Sequence, residues 1–263
     1  MAPPTVADLR AGKGLRQLSM LHVTTLDETA AAHSAGIDLL SIVDPLWGKD
    51  FRAAAPDAFV CVGLLYGQLV TTEDYLRAAF AAMSDGADSV YCAASLRTVE
   101  ALAAEGIPVC GHTGLIPSKA TWTGGFRAVG KTVDSALLVH RQVKALEDAG
   151  AFAAEIEVVP DRVAAELSRR TSMLLISMGA GSGCDAQYVF AEDVLGSNTG
   201  HVPRHAKRYR DFAAEYARLQ AERVAAFGEF AGDVKTGGYP GPGHTVAIAD
   251  TEFAAFLTAL GTG

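Results

Sequence analysis

Three residues able to move protons stand at the ends of apolar runs. His112 closes Ile107-Pro-Val-Cys-Gly and opens a loop punctuated by Gly114 and Pro117; Glu157 follows Phe152-Ala-Ala-Glu-Ile; Asp44 follows Ile37-Asp-Leu-Leu-Ser-Ile-Val. A buried strand that delivers one polar side chain to a cleft has this pattern. A carboxylate and an imidazole in one cleft are the working parts of general acid/base catalysis. Tyr91, after Asp88-Ser-Val, and Ser177, after Met173-Leu-Leu-Ile, complete the set of polar strand-end residues. Each also has a plain structural role open to it: a histidine at a strand end bonds a loop backbone, a tyrosine packs, and a carboxylate joins an ion pair.

The elements that would position these groups alternate. Leu18–Val23, Ile37–Asp44, Phe59–Tyr66, Asp88–Ala94, Ile107–His112, Phe152–Pro160 and Met173–Gly181 have strand character, and helical spacing runs through Leu26–Gly36, Thr71–Gly86, Leu96–Gly106, Val133–Gly150 and Arg162–Arg170. Gly36, Gly86, Gly106 and Gly150 each stop a helix just before an apolar run, the mark of repeated βα units. About eight units fit 263 residues, which predicts a single (β/α)8 TIM-type barrel domain over residues 1–263. A short helix capped by Thr5 is expected to plug or cover one barrel end, and helices over Arg204–Phe230 and Asp250–Leu260 to form a C-terminal extension. The loop holding Trp122, Gly124, Gly125 and Gly130 is expected to be a lid. The basic run Arg204–Arg210 is expected to be a solvated helix face.

Formal charge is 22 minus 30, or −8, which disfavours nucleic acid and anionic membranes as partners and leaves a small-molecule substrate. Cys61, Cys92, Cys110 and Cys184 have no CxxC spacing and are expected to be buried thiols. The first 18 residues lack an apolar core, and no run of about 18 apolar residues occurs, so a cytoplasmic location is expected.

Several segments, in order along the chain, resemble the ketopantoate hydroxymethyltransferase family of the phosphoenolpyruvate mutase and isocitrate lyase superfamily. They are Pro108-Val-Cys-Gly-His-Thr-Gly-Leu-Ile-Pro117, Gly124-Gly-Phe-Arg-Ala-Val-Gly130, Ala145-Leu-Glu-Asp-Ala-Gly-Ala151, Ile156-Glu-Val-Val-Pro160, Met178-Gly-Ala-Gly181 with Asp185 and Gln187, Gly200-His-Val-Pro-Arg-His-Ala-Lys207, and Gly238-Tyr-Pro-Gly241 with His244. The resemblance implies a barrel that binds a 2-oxo acid through Mg²⁺, enolises it with a glutamate, and adds a one-carbon unit from methylenetetrahydrofolate. It implies that Asp44 is a metal-binding aspartate, His112 the active-site histidine and Glu157 the catalytic glutamate. It also implies a homo-oligomer.

Other positions depart from the family pattern. Pro45 replaces a serine after the metal-binding aspartate, Gly63 a second metal-binding aspartate, Tyr91 a substrate-binding lysine, and Ala93 a metal-associated glutamate. Mg²⁺ wants about six oxygen ligands, usually including one or two carboxylates, so Asp44 alone is a thin hold. Losing the lysine removes the point charge expected to meet a substrate carboxylate. A less charged, more aromatic pocket follows, with Tyr66, Tyr91, Trp47 and Ser177 as substrate-binding residues, Trp122 nearby and a bulkier substrate. The reading is a ketopantoate hydroxymethyltransferase-like enzyme using enol or enolate chemistry. Its alternatives are a metal-independent isomerase, cyclase or aldolase of specialised metabolism, and a non-catalytic binding subunit.

Overall fold

Each βα unit in the first two hundred residues returns the chain to one parallel sheet, and after eight strands the sheet meets itself. The computed structural model describes residues 3–261. The strands are β1 Leu18–His22, β2 Leu39–Val43, β3 Phe59–Gly63, β4 Ser89–Tyr91, β5 Val109–Gly114, β6 Ala153–Glu157, β7 Leu174–Met178 and β8 Ala186–Phe190, and β8 pairs back onto β1 to close the barrel. The helices are α1 Val6–Ala11, α2 Leu26–Ser34, α3 Lys49–Ala54, α4 Thr72–Ser84, α5 Leu96–Ala104, α6 Ala120–Thr123, α7 Val133–Asp148, α8 Asp161–Arg169, α9 Ala191–Leu195, α10 Phe212–Thr236 and α11 Asp250–Leu260. This is the (β/α)8 barrel that the glycine-stopped repeats predict.

Local chemistry sets the helix ends and faces. Thr71 with Asp74 and Thr132 with Ser135 form capping boxes at the starts of α4 and α7, satisfying amides that have no partner within the helix. In α7 the buried residues Val139, Val143 and Leu146 recur at helical spacing and face the sheet. α1, capped by Thr5 and Asp8, inserts Leu9 among Met20, Leu39, Phe59, Phe152 and Ile176 inside the barrel. That is the plug expected of this segment. All four cysteines are free and buried; burial pushes Cys92 up to about 11 and Cys184 up to about 12, so both remain thiols.

Three features differ from the sequence expectation. β8 forms within Asp185–Leu195, a stretch whose alternating buried and partly exposed residues carry a weaker strand signal than the other runs. β5 continues two residues past His112 to Gly114. The long C-terminal helix starts at Phe212 rather than Arg204, so Arg204–Arg210 is no solvated helix face. Instead that segment packs back on the barrel, where the Tyr209 amide donates to the Val194 carbonyl at 2.8 Å. Gly196 makes the approach feasible, because a Cβ there would stand 2.2 Å from the Arg210 carbonyl oxygen.

The chain divides into two compact units, Met1–Arg210 and Asp211–Gly263. The first holds the barrel with α1 to α9. The second holds α10 and α11, and no described residue of either helix is buried. Among the described residues, no helix is long and apolar enough to cross a membrane.

Barrel closure at the end opposite the strand C-termini depends on Asp185. One carboxylate oxygen accepts from the Lys13 ammonium at 2.6 Å, the Ser168 hydroxyl at 3.0 Å and the Leu175 amide at 2.8 Å. Asp185→Ala strands a partly buried cation and a backbone donor, a loss of about 3 kcal/mol. The expected outcome is a fall in melting temperature of roughly 6–12 °C, measured by calorimetry; an unchanged melting temperature contradicts it.

Candidate active site

Strands β5 and β6 build the floor of the site. Their register sets His112 opposite Glu155 and Gly114 opposite Glu157. Side chains alternate along a strand, so Glu155 and Glu157 share the inward face, and both line a cavity of about 890 Å³ at the strand C-terminal ends. Gly114, at φ +83°, lets β5 pass close to β6, since a Cβ there would lie 2.4 Å from the Glu157 carbonyl oxygen. Val158, next after Glu157, adopts φ +48°. That is strained for a β-branched residue, and such strain concentrates at functional sites.

His112 is buried and fully engaged. Its Nε2 lies 2.9 Å from the Leu115 carbonyl and 3.2 Å from Glu157 Oε2. Its Nδ1 lies 2.5 Å from the Tyr91 hydroxyl and 3.7 Å from Glu155 Oε2. A carbonyl can only accept, which assigns the proton to Nε2. In the neutral ring Nδ1 then accepts from Tyr91, whose hydroxyl is held well above its usual range by burial and by the charges of Glu155 and its neighbours. Glu155, only 5% exposed, is pushed up to about 8, chiefly by burial and further by nearby Cys61 and Glu157, against the opposing pull of His112.

The remaining sequence candidates divide. Tyr66 is exposed at the cavity edge and lines it, while Tyr91 lines it from β4. Trp47 points elsewhere: half-buried against the core, its indole donates to the Ala82 carbonyl of α4 at 3.1 Å and its ring lies under the Arg52 guanidinium, and it does not line the cavity. Trp122 is 90% exposed and does not line the cavity; Phe126, Arg127, Ala128 and Lys131 of the same loop do. Ser177 alternates with the inward-facing Ile176 and Met178. Its hydroxyl donates to the Gly181 carbonyl at 2.9 Å and accepts from the Ala180 amide at 3.1 Å, organising the glycine turn after β7. Asp44 sits half-buried in the turn after β2 and is not among the cavity-lining residues; burial raises its carboxyl above the usual range.

Two inward groups escaped the sequence reading. Glu155 was legible by period-two alternation from Glu157, and His22 by its place as the last residue of β1. His22 lines the cavity, packs on Phe190 at 4.8 Å between ring centroids, and is shifted down by burial.

The sequence model described as ketopantoate hydroxymethyltransferase matches residues 46–242. The chain belongs to this family. A 3-methyl-2-oxobutanoate hydroxymethyltransferase of Nitratidesulfovibrio vulgaris is 33% identical, covering 98% of this chain and 90% of the relative. The enzyme of that name from Thermus thermophilus is 32% identical, covering 92% and 98%. The structure of a proposed phosphonomutase from Burkholderia cenocepacia J2315 superposes with a TM-score of 0.54 at 14% identity, covering 85% of this chain and 98% of that one, which supports the fold. Membership makes the chain one of a family of transferases.

The divalent metal of ketopantoate hydroxymethyltransferases does not fit the donors present. Gly63 offers no side chain, although a Cβ there would meet only ordinary contacts, the nearest at 3.6 Å. Ala93 faces a smaller neighbouring cavity of about 280 Å³. Among the described residues no group of three or more His, Cys, Asp or Glu is arranged to hold a metal ion. At the family's metal positions a hard cation needing about six oxygens finds only Asp44, half-buried and outside the cavity lining; the carboxyls that do line the cavity, Glu155, Glu157 and Asp193, are not grouped to hold an ion.

The raised Glu155 carboxyl has a stability consequence with a definite sign. The folded state holds its proton up to about pH 8, whereas an ordinary glutamate releases it near 4.5. Stability therefore falls as pH rises through that window. Glu155→Gln removes the penalty, so the variant's melting temperature relative to the parent should climb between about pH 5 and about pH 9. Melting curves that stay parallel across this range contradict the assignment.

Proposed function

We propose that this protein is a ketopantoate hydroxymethyltransferase-like enzyme that removes a proton from the carbon beside the carbonyl of a 2-oxo acid or related compound. The observation carrying this reading is the Glu157 carboxylate, 3.2 Å from His112 Nε2 beneath an open cavity. Glu157 takes the proton, the C–H electron pair forms a C=C bond, and the carbonyl π pair moves to oxygen as an enolate. Nε2–H of His112 orients Glu157, and the Leu115 carbonyl and Tyr91 hydroxyl hold the ring on either side. Asp44 is left out of the chemistry because its carboxyl does not line the cavity.

The relatives are named for 3-methyl-2-oxobutanoate; a bulkier acid is the substrate proposed here. The cavity, about 890 Å³, is near the upper end of small-molecule sites, roughly 300–1,000 Å³. Val43, Leu64, Leu65, Met178 and Phe190 give it apolar walls, and Arg127, Lys131 and Arg204 supply positive charge for a carboxylate in place of the missing lysine. The volume accommodates a second reactant beside the acid, as addition of a one-carbon unit from methylenetetrahydrofolate requires. The lost metal donors favour a second reading on the same scaffold, a metal-independent isomerase, cyclase or aldolase that begins with the same proton abstraction. Self-association belongs to the proposal as well, supported by Tyr216, Val224, Phe227, Phe230, Phe253 and Phe256 exposed on α10 and α11.

Deuterium exchange beside the carbonyl tests the shared first step. In deuterated buffer, NMR with a panel from 3-methyl-2-oxobutanoate to phenylpyruvate should show exchange that chelator leaves unchanged. Glu157→Gln should slow it by about 100-fold or more. Exchange abolished by chelator, or untouched by the substitution, refutes the reading.

A further inference from the structure

Glu155 is a buried carboxyl on the floor of the cavity, and the proton abstraction described above leaves it unused. It is 5% exposed, lines the cavity, and has no hydrogen-bond partner among the described residues. The other hydrogen-bond donors of the floor are committed. The Tyr91 hydroxyl is held on His112 Nδ1 at 2.5 Å, the Tyr188 hydroxyl donates to Ser41 Oγ at 3.0 Å, and His112 Nε2–H serves the Leu115 carbonyl and Glu157. His112 Nδ1, the cationic candidate nearest Glu155, is 3.7 Å away and already receives the Tyr91 proton. Beside a neutral His112 ring, an ionised Glu155 would face that nitrogen's lone pair and a second carboxylate, whereas a protonated one has an O–H free for a ligand in the cavity.

We propose that Glu155 is a second catalytic residue, a neutral carboxylic acid whose O–H hydrogen-bonds the substrate's carbonyl oxygen while Glu157 removes the adjacent proton. This rests on the enolising reading of the site. As the C–H bond breaks, its proton goes to Glu157, its electron pair becomes the C=C bond, and the carbonyl π pair collects on the oxygen facing Glu155. Glu155 either keeps its proton in a strong hydrogen bond to the enolate or passes it across, leaving an enol and a Glu155 carboxylate. Atoms and charge balance in both cases with no further reactant. The role is the one a cation would fill, where the family metal position on the cavity wall holds Gly63 and another, facing the neighbouring cavity, holds Ala93. A carboxylic acid kept neutral by apolar burial is a recognised oxyanion donor.

The groups facing Glu155 are Tyr91 on β4, Cys110 and His112 on β5, Cys61 on β3, Tyr188 on β8 and Glu157 on its own strand. With Glu155 pushed up to about 8, the donor is present at neutral pH and lost as pH rises through that value.

Two measurements on the intact protein test this. The first is the deuterium exchange described above, on Glu155→Leu, which has no donor, and Glu155→Gln, whose amide N–H can replace the O–H. The second is calorimetric binding of 2-oxo acids against matched acids lacking the oxo group, 3-methylbutanoate and 3-phenylpropanoate. Glu155→Leu should lose about 100-fold in exchange and the preference for the oxo group, roughly tenfold in the parent. Glu155→Gln should keep most of both and lose the alkaline fall in rate. Parent protein without oxo preference, or Glu155→Leu that exchanges or discriminates like the parent, overturns the proposal. Parent protein that discriminates through Glu155 yet exchanges no deuterium refutes the enolising reading alone. If Glu155→Leu does not fold, an alkaline fall that persists in Glu155→Gln overturns the proposal.

Discussion

His112, buried in the barrel, brings two ring nitrogens to four oxygens, and the protons must be distributed so that no buried group is stranded. The Leu115 carbonyl, unable to donate, decides the matter at Nε2; Tyr91 then decides it at Nδ1. Once both nitrogens are engaged, the two carboxyl groups cannot be equivalent. Glu157 shares the Nε2 proton, whereas Glu155 meets a nitrogen with nothing to give it. Two glutamates of one type, two residues apart on one strand, thereby acquire different chemistry from their surroundings.

The same constraint bears on the missing metal donors. In a cavity with several cationic groups on its walls and Glu155 and Glu157 on its floor, a divalent ion would need more oxygen ligands than Asp44 provides. On the proposed enolising reading, electrophilic help comes from a neutral donor or from the cations of the wall. Arg127, Lys131 and Arg204 come from two separate segments, the loop after α6 and the stretch after α9, which meet over the barrel mouth. Those segments are also where the chain is least regular. Gly179 allows the approach, for a Cβ there would stand 2.7 Å from the His205 ring.

Much of this was legible along the chain. The glycines that end four of the helices and the apolar runs that follow them are local events, dictated by backbone freedom at positive φ and by burial, so the repeated βα units of the barrel could be read directly. The place of Glu157 at the end of β6 was legible for the same reason, His112 proved to lie two residues inside the end of β5, and family motifs located both independently. Trp47 and Ser177 misled because residue type does not reveal which side of a turn or strand a side chain takes. Trp47 was drawn onto α4 and Ser177 into the glycine turn by hydrogen bonds to backbone groups of residues that do not line the cavity.

The sequence by itself determined the alternation of elements, the family, and the residue types available at the strand ends, because each depends on neighbours within a few residues. Tertiary structure alone decided that Glu155 stands across from His112, that Tyr91 occupies Nδ1, and that Arg204 turns over the barrel rather than starting a helix. The physical reason is that desolvation and hydrogen-bond competition act through space. A carboxyl group's proton depends on what closes around it, and strand register determines which side chains do.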